Sequence, residues 1–195
     1  DLALLGAIQA QIADACAGRA REKLRRLILD LQDTLTSIER CRKPVIAAIH
    51  GACIGGGVDL VTACDIRLCS ADAVFSIREI EVGMTADLGT LQRLPALIGD
   101  GMARELAYTG RNVDGREARE IRLVNRCYDT YEALLAGARE LAATIAARSP
   151  LSVRGAKEMI TYARDHSVAD GLNHVATWNA AMLLSADLPE ALLAM

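Results

Sequence analysis

The stretch Lys43-Pro44-Val45-Ile46-Ala47-Ala48-Ile49, followed by Gly51-Ala52-Cys53-Ile54-Gly55-Gly56-Gly57, constrains this chain more than any other. Lys43-Pro44 ends the preceding helix, because proline disfavours helical geometry in the residue before it. Val45 to Ile49 reads as a short buried strand, and Val58 to Ala63 as a helix entered from the glycines. A strand that runs through a glycine-rich turn into a helix aims backbone N–H groups at negative charge. Three chemistries compete for that geometry. A dinucleotide fold wants GxGxxG, which the loop does not match. A Walker phosphate loop wants a lysine after its last glycine, whereas Gly57 is followed by Val58-Asp59, a carboxylate where a cation belongs. The third is an oxyanion hole, in which amides at a helix start stabilise charge on a carbonyl oxygen. Asp59 is compatible with an enolate or a polarised carbonyl, not with a polyphosphate. Taken alone, the glycines also fit a tight strand-to-helix turn with no ligand.

Strands and helices alternate around this loop. Leu2, Leu5, Ile8 and Ile12 recur at helical spacing within residues 2–16, with Gly18 as the expected break. A second helix carries Leu24, Leu27, Ile28, Leu31, Leu35 and Ile38 on one stripe. The five basic residues between Arg19 and Arg26 read as a solvated face of that helix rather than a phosphate patch. Further strands are expected at Ile66–Ser70 and Val74–Ile77. A polar loop then runs through Glu79, Glu81 and Asp87, with helices at 88–97 and 102–109. From Tyr131 the pattern is all helical, in segments 131–148, 151–164 and 168–185. The expectation is an α/β body with a separate helical tail.

Composition removes several function classes. In 195 residues, 52% are hydrophobic and 24% charged, enough for a buried core and unlike a disordered chain. The net charge of −3 lacks the basic excess that a phosphate backbone requires. The aromatic residues are Phe75, Trp178 and four tyrosines, too few for stacking on bases. No stretch approaches the roughly 20 apolar residues of a membrane span. Neither a nucleic-acid nor a membrane partner is therefore expected. Cys16, Cys41, Cys53, Cys64, Cys69 and Cys127 form no CxxC or Cys/His pattern, and His50, His166 and His174 are the only histidines, so no metal site is expected. Thiols scattered this way usually stay reduced and buried. Asp1 stands without an initiator Met and helical pattern begins at once, as expected for a piece of a longer protein.

Several ordered motifs resemble the crotonase (enoyl-CoA hydratase/isomerase) superfamily. They are Lys43 to Gly51, Gly55-Gly56-Gly57-Val58-Asp59-Leu60, Ala63-Cys64-Asp65-Ile66-Arg67, Phe75 with Glu79 and Gly83, Gly89-Thr90-Leu91-Gln92-Arg93-Leu94, and Thr109-Gly110-Arg111. The acidic positions distinguish branches. Hydratases carry a glutamate directly after the glycine loop and a second about twenty residues on; here these positions hold Asp59 and Glu79. Asp87 stands eight residues further, where hydratases usually have glycine. That combination, with Arg164-Asp165-His166-Ser167-Val168 and Ala176-Thr177-Trp178-Asn179, resembles the Δ3,5-Δ2,4-dienoyl-CoA isomerase branch.

The resemblance implies a ββα spiral core over 1–126 and a C-terminal helical trimerisation region over 127–195, with pairing of trimers into hexamers left open. It implies an acyl-CoA thioester substrate, no cofactor beyond the coenzyme A that the substrate carries, and a role in fatty-acid β-oxidation. Glu79 would take a proton from C2, Asp87 would deliver one to C6, and Asp59 would orient or tune them. Gly56 N–H would donate to the thioester oxygen, with Gly55 and Ala52 lining the same site. The second oxyanion donor and most of the adenine pocket would come from a segment upstream of Asp1. The expected compartment is the cytoplasm of a bacterium, or the mitochondrion or peroxisome of a eukaryote. Rival expectations are a hydratase or another acyl-CoA isomerase using the same pocket, and a catalytically silent oligomeric module. His50, Asp65, Arg67, Tyr162 and Trp178 are expected to serve structure. Arg122 takes a place where relatives commonly have glycine.

Overall fold

Two small sheets carry the body of the molecule, and the chain feeds them alternately. The computed structural model describes residues 2–193; Asp1 lies outside the described residues. After helices α1 (Leu2–Ile12) and α2 (Ala17–Arg40), strand β1 (Ile46–Ile49) turns at Gly51, φ +61°, into β2 (Ala52–Ile54), and α3 (Gly56–Ala63) follows. A second circuit lays down β3 (Ile66–Ser70) and β4 (Val74–Ser76), a 3-10 turn at Arg78–Val82, α4 (Thr90–Ile98) and α5 (Asp100–Thr109). A third adds β5 (Val113–Asp114), α6 (Gly115–Glu120) and β6 (Arg126–Tyr128). One sheet has the order β1-β3-β6, the other β2-β4-β5. Ile46 to Ile49 pair in parallel with Ile66 to Cys69, and Ala52 to Ile54 with Val74 to Ser76, so each circuit stacks on the last. Among the described residues, only β4 and β5 run antiparallel. This is a spiral of ββα units in the α/β class.

Parallel strands covered on both faces are short apolar runs, and these pack around Phe75, Leu94, Leu106, Val113, Leu123 and Val124, all buried. Buried Arg67 closes the sheet ends: its Nε donates to the Leu123 carbonyl at 2.8 Å and its Nη1 to the Cys64 carbonyl at 2.7 Å. Asp65 pairs not with Arg67 but with Lys157 at 2.7 Å, and its Oδ2 also accepts the Val45 amide at 2.7 Å.

Several boundaries differ from the sequence expectation. Gly18 is no break. It lies in the first turn of α2, and the interruption falls at 13–16 because the Asp14 carboxylate accepts the Cys16 amide and the Arg19 guanidinium. The Arg19 bond, then the Cys16 amide and Lys23, hold the Asp14 carboxyl down to about 2. The basic stretch itself is exposed, with Glu22 facing Arg25 and Arg26. Strand β2 lies inside the stretch read as one glycine turn, and α3 begins two residues before Val58. The boundary expected at 126/127 falls inside β6, because Leu68, Cys69 and Ser70 pair with Arg126, Cys127 and Tyr128. The next helix, α7 (Tyr131–Ala146), packs on β1, β3 and β6.

Beyond it, α8 (Pro150–Tyr162), α9 (Val168–Met182) and α10 (Asp187–Leu193) form the tail. Ser149 caps α8, with Pro150 at the first helical position, and Ser167 with Asp170 closes a capping box on α9. Trp178 rests against Gly155, where a Cβ would meet its Nε1, and Tyr162 stacks on His166 and His174.

Arg122, between α6 and β6, has φ +68°, the only non-glycine in the left-handed region among the described residues. An L side chain there costs about 1–2 kcal/mol, partly offset because glycine loses more backbone freedom on folding. Arg122→Gly is expected to raise the thermal midpoint by about 2–4 °C in calorimetry, equivalent to roughly 1 kcal/mol. An unchanged or lower midpoint would contradict the strain.

Candidate active site

Three segments converge at the start of α3: the glycine loop, the 3-10 turn and the extended stretch that precedes α4. The turn follows buried Ile77 and stops at Gly83, whose φ of +71° completes a left-handed cap. Glu79 sits in its first positions and folds back against the glycine loop. A Cβ on Gly55 would lie 2.8 Å from Glu79 Oε1, so the absent side chain is what admits the carboxyl. Its other oxygen, Oε2, is buried without a hydrogen-bond partner. Burial, above all, pushes the Glu79 carboxyl above its ordinary range; its own backbone amide opposes this, and the nearby charges of Asp59 and Asp87 add to the rise. Electrostatically the three acids are neighbours.

Their local roles differ. Asp59, in the first turn of α3, is 1% exposed, and its Oδ1 accepts the Thr90 amide at 2.7 Å. It thereby satisfies a first-turn N–H of α4, a helix whose N-cap Gly89 has no side chain to do so. Asp87 is half-buried in the stretch before α4, and its carboxyl makes no hydrogen bond or ion pair among the described residues. Gln32, on α2, donates from Nε2 to the Asp87 backbone carbonyl at 2.6 Å. The sequence reading of α2 followed its apolar stripe and passed over Gln32. The available signal was a second periodicity, Gln32, Thr36 and Glu39 at helical spacing.

In the loop, Gly55 has φ +54° and gives its N–H to the Ser76 carbonyl at 2.9 Å, so that amide is already used. Its contribution is the turn and the space for Glu79. Ala52 is exposed on β2. Gly56 and Gly57 open α3, and their N–H groups have no acceptor among the described residues. A helix start with free amides suits an oxygen that gains negative charge.

Glu79 also lines a cavity of about 320 Å³ with Ile77, Ile80, Met84, Ala86, Leu91 and Leu94 on its walls. Asp59, Asp87 and the glycines are not part of that lining. A carboxyl placed between an apolar cavity and a glycine backbone, with an unpaired oxygen, is a strong proton acceptor once ionised. A thiolate is unfavourable nearby: burial pushes the Cys53 thiol up to about 12. His50 is exposed and leans on the Tyr131 ring at 4.5 Å, with no ion pair among the described residues. Glu81 is exposed and faces Arg78. Among the described residues no group of three or more His, Cys, Asp or Glu is arranged to hold a metal ion.

Comparison with known proteins places this geometry. The family model described as enoyl-CoA hydratase/isomerase matches residues 10–188. The peroxisomal Δ(3,5)-Δ(2,4)-dienoyl-CoA isomerase of Arabidopsis thaliana is 55% identical over 174 residues, which is 89% of this chain and 63% of that protein. The mitochondrial Δ(3,5)-Δ(2,4)-dienoyl-CoA isomerase of Homo sapiens is 53% identical over 166 residues, 85% of this chain and 51% of that protein. The chain thus spans between half and two thirds of the length of these relatives. Among solved structures, an enoyl-CoA hydratase from Bacillus anthracis superposes with a TM-score of 0.84 at 35% identity, covering 89% of this chain and 67% of the other. A Thermobifida fusca YX protein in complex with acetoacetyl-CoA gives 0.78 at 32% identity, covering 82% and 62%.

A glutamate whose folded pKa is raised stabilises the fold only while protonated, and that contribution is lost as pH rises through the folded value. Glu79→Gln is therefore expected to melt above the parent protein near pH 7, with the gap closing below about pH 4, where Glu79 is protonated in both states. A lower midpoint for Glu79→Gln near neutrality would contradict the burial of an unpaired carboxyl.

Proposed function

The chain belongs to the enoyl-CoA hydratase/isomerase family, and from that premise we propose that it provides the acid–base groups of a Δ3,5-Δ2,4-dienoyl-CoA isomerase. The observation that carries the reading is the Glu79 carboxyl, buried with an unpaired oxygen and facing the charges of Asp59 and Asp87. Ionised Glu79 takes the C2 proton of a 3,5-dienoyl thioester. The electron pair left behind spreads through the diene into the thioester carbonyl, and the Gly56 N–H donates to the resulting oxyanion. Asp87, as the carboxylic acid, returns a proton to C6, and the double bonds come to rest at C2 and C4. Glu79 ends protonated and Asp87 ionised; proton exchange with solvent resets them. The reactive form is the one in which the single proton shared by these two carboxyls sits on Asp87.

Two further observations support the isomerase over the hydratase. Asp59 is engaged with the Thr90 amide and is closed to solvent, so it is a poor partner for an attacking water. The two dienoyl-CoA isomerases are also more similar in sequence, at 55% and 53% identity, than the hydratase structure at 35%. The acyl-CoA class of substrate is supported by the complex of the Thermobifida relative with acetoacetyl-CoA; coenzyme A enters with the substrate and no other cofactor is needed. The activity belongs in the cytoplasm of a bacterial source or, as the relatives are named, in the peroxisome or mitochondrion of a eukaryotic one.

A homotrimer assembled through the helical region that follows β6 is part of the same proposal. Val168, Leu172 and Leu184 are 82%, 64% and 90% exposed, more apolar surface than a lone tail would leave in water.

Asp87→Asn and Glu79→Gln are each expected to lower isomerisation of a 3,5-dienoyl-CoA by about 10²–10⁴-fold, read as absorbance of the conjugated product. The acid limb of the parent's rate profile should lie above the ordinary glutamate range, since Glu79 must be ionised to accept the C2 proton. Undiminished turnover in Asp87→Asn, or faster hydration of a 2-enoyl-CoA than isomerisation of the diene, would overturn the assignment. Sedimentation should give three chains per particle, and Leu172→Glu with Leu184→Glu should release monomers; a monomeric parent would contradict the trimer.

A further inference from the structure

We propose that one polar face of α2, made by Gln32, Thr36 and Glu39, positions the Asp87 carboxyl for its proton transfer, with Gln32 as the direct contact. The inference rests on the reading of Asp87 as the acid that serves C6. Residues 84–87 have neither helix nor strand, so the local backbone does not by itself fix where the carboxyl points. Proton transfer tolerates little misplacement: a shift of about 1 Å can lower a rate about 100-fold. Something outside the segment must hold it.

Three anchors do so, and two of them involve α2. Gln32 Nε2 donates to the Asp87 carbonyl at 2.6 Å. Arg93, on α4, donates from Nη2 to Thr36 Oγ1 at 3.1 Å and to Glu39 Oε2 at 2.8 Å, and its Nη1 reaches toward the Leu88 carbonyl at 3.4 Å. Asp59 supplies the third anchor through the Thr90 amide. The α2 residues fall at i, i+4 and i+7, which places them on one face of that helix. Arg93 and Glu39 are only 14% and 15% exposed, unlike a surface ion pair, and the second Glu39 oxygen meets Arg164. Burial opposes ionisation of Glu39, but the two guanidiniums prevail and hold its carboxyl below the usual range. Gly89, φ +125°, completes the arrangement: a Cβ there would collide with the Arg93 guanidinium. No residue of α2 is fully buried, so these polar contacts are a large part of how the helix engages the body. Two of them end on the carbonyls of Asp87 and Leu88, at the proposed acid and immediately after it. None of the three side chains need touch substrate.

The test separates the two proton transfers, using the intact protein. Gln32→Leu is expected to lower kcat for 3,5-dienoyl-CoA isomerisation about 10- to 100-fold with KM unchanged, while exchange of the C2 hydrogen with deuterated solvent, the Glu79 step, stays within about twofold. Gln32→Lys, which keeps a donor in reach of the carbonyl, should recover part of the loss. Thr36→Val removes an acceptor from Arg93 without changing shape; it should show the same selective loss by a smaller factor, and it decides the matter if Gln32→Leu does not fold. Equal losses in both reactions, or none in either, would overturn the proposal. Asp87→Asn serves as the control. If it isomerises normally, the acid is elsewhere and the functional reading fails, taking the positioning role with it. If it keeps C2 exchange and loses isomerisation, that reading survives and the Gln32 result judges the positioning role alone.

Discussion

A single hydrogen bond, from the Thr90 amide to Asp59 Oδ1, joins the two helices that frame the site. It is 2.7 Å long and closed to water, and it begins at the first turn of α3, immediately after the glycine loop. Placing a carboxyl in the interior costs several kcal/mol unless donors meet it, and the α4 helix start offers such a donor, left without a capping side chain by Gly89. The consequence is geometric. With α4 fixed against α3, the stretch carrying Asp87 leads into α4 beside the start of α3.

Glu79 illustrates the opposite choice with the same functional group. Its carboxyl is also drawn inward, yet one oxygen meets no donor. In the fold this is a liability; in acid–base chemistry it is a reservoir of proton affinity. Asp59 Oδ1 meets a donor and Glu79 Oε2 meets none, which is the ground for proposing Glu79 as the reactive group. Gly55 makes both possible: its positive φ turns the chain from β2 into α3, its amide stays in the ladder with Ser76, and its missing side chain leaves room for Glu79.

The parts of this that a sequence displays are those governed by local periodicity. Strands β1 and β3 and helices α3, α5 and α7 to α9 lie close to their expected positions because short apolar runs, glycine or proline boundaries and helical stripes belong to adjacent residues. Strand β2 did not declare itself, since three residues between glycines carry no alternation; its pairing with β4 alone makes it a strand. Strand β6, likewise, exists through β3 and erases the expected boundary at 126/127. At the site, Glu79, Asp87, Asp59 and Gly56 were singled out by motif resemblance, and their identities could be named in advance. The use of the Gly55 amide by Ser76, and the contact of Gln32 with a carbonyl 55 positions away, could not. Hydrogen bonds across such separations leave no pattern in neighbouring residues.

The account comes down to whether Glu79 and Asp87 feel each other's charge. Carbon-13 NMR of the labelled glutamate carboxyls, titrated in the parent protein and in Asp87→Asn, measures this without substrate. The account predicts that Glu79 titrates above the ordinary glutamate range and moves back toward it once residue 87 is neutral. A Glu79 that titrates at its ordinary value, unmoved by the substitution, would contradict it.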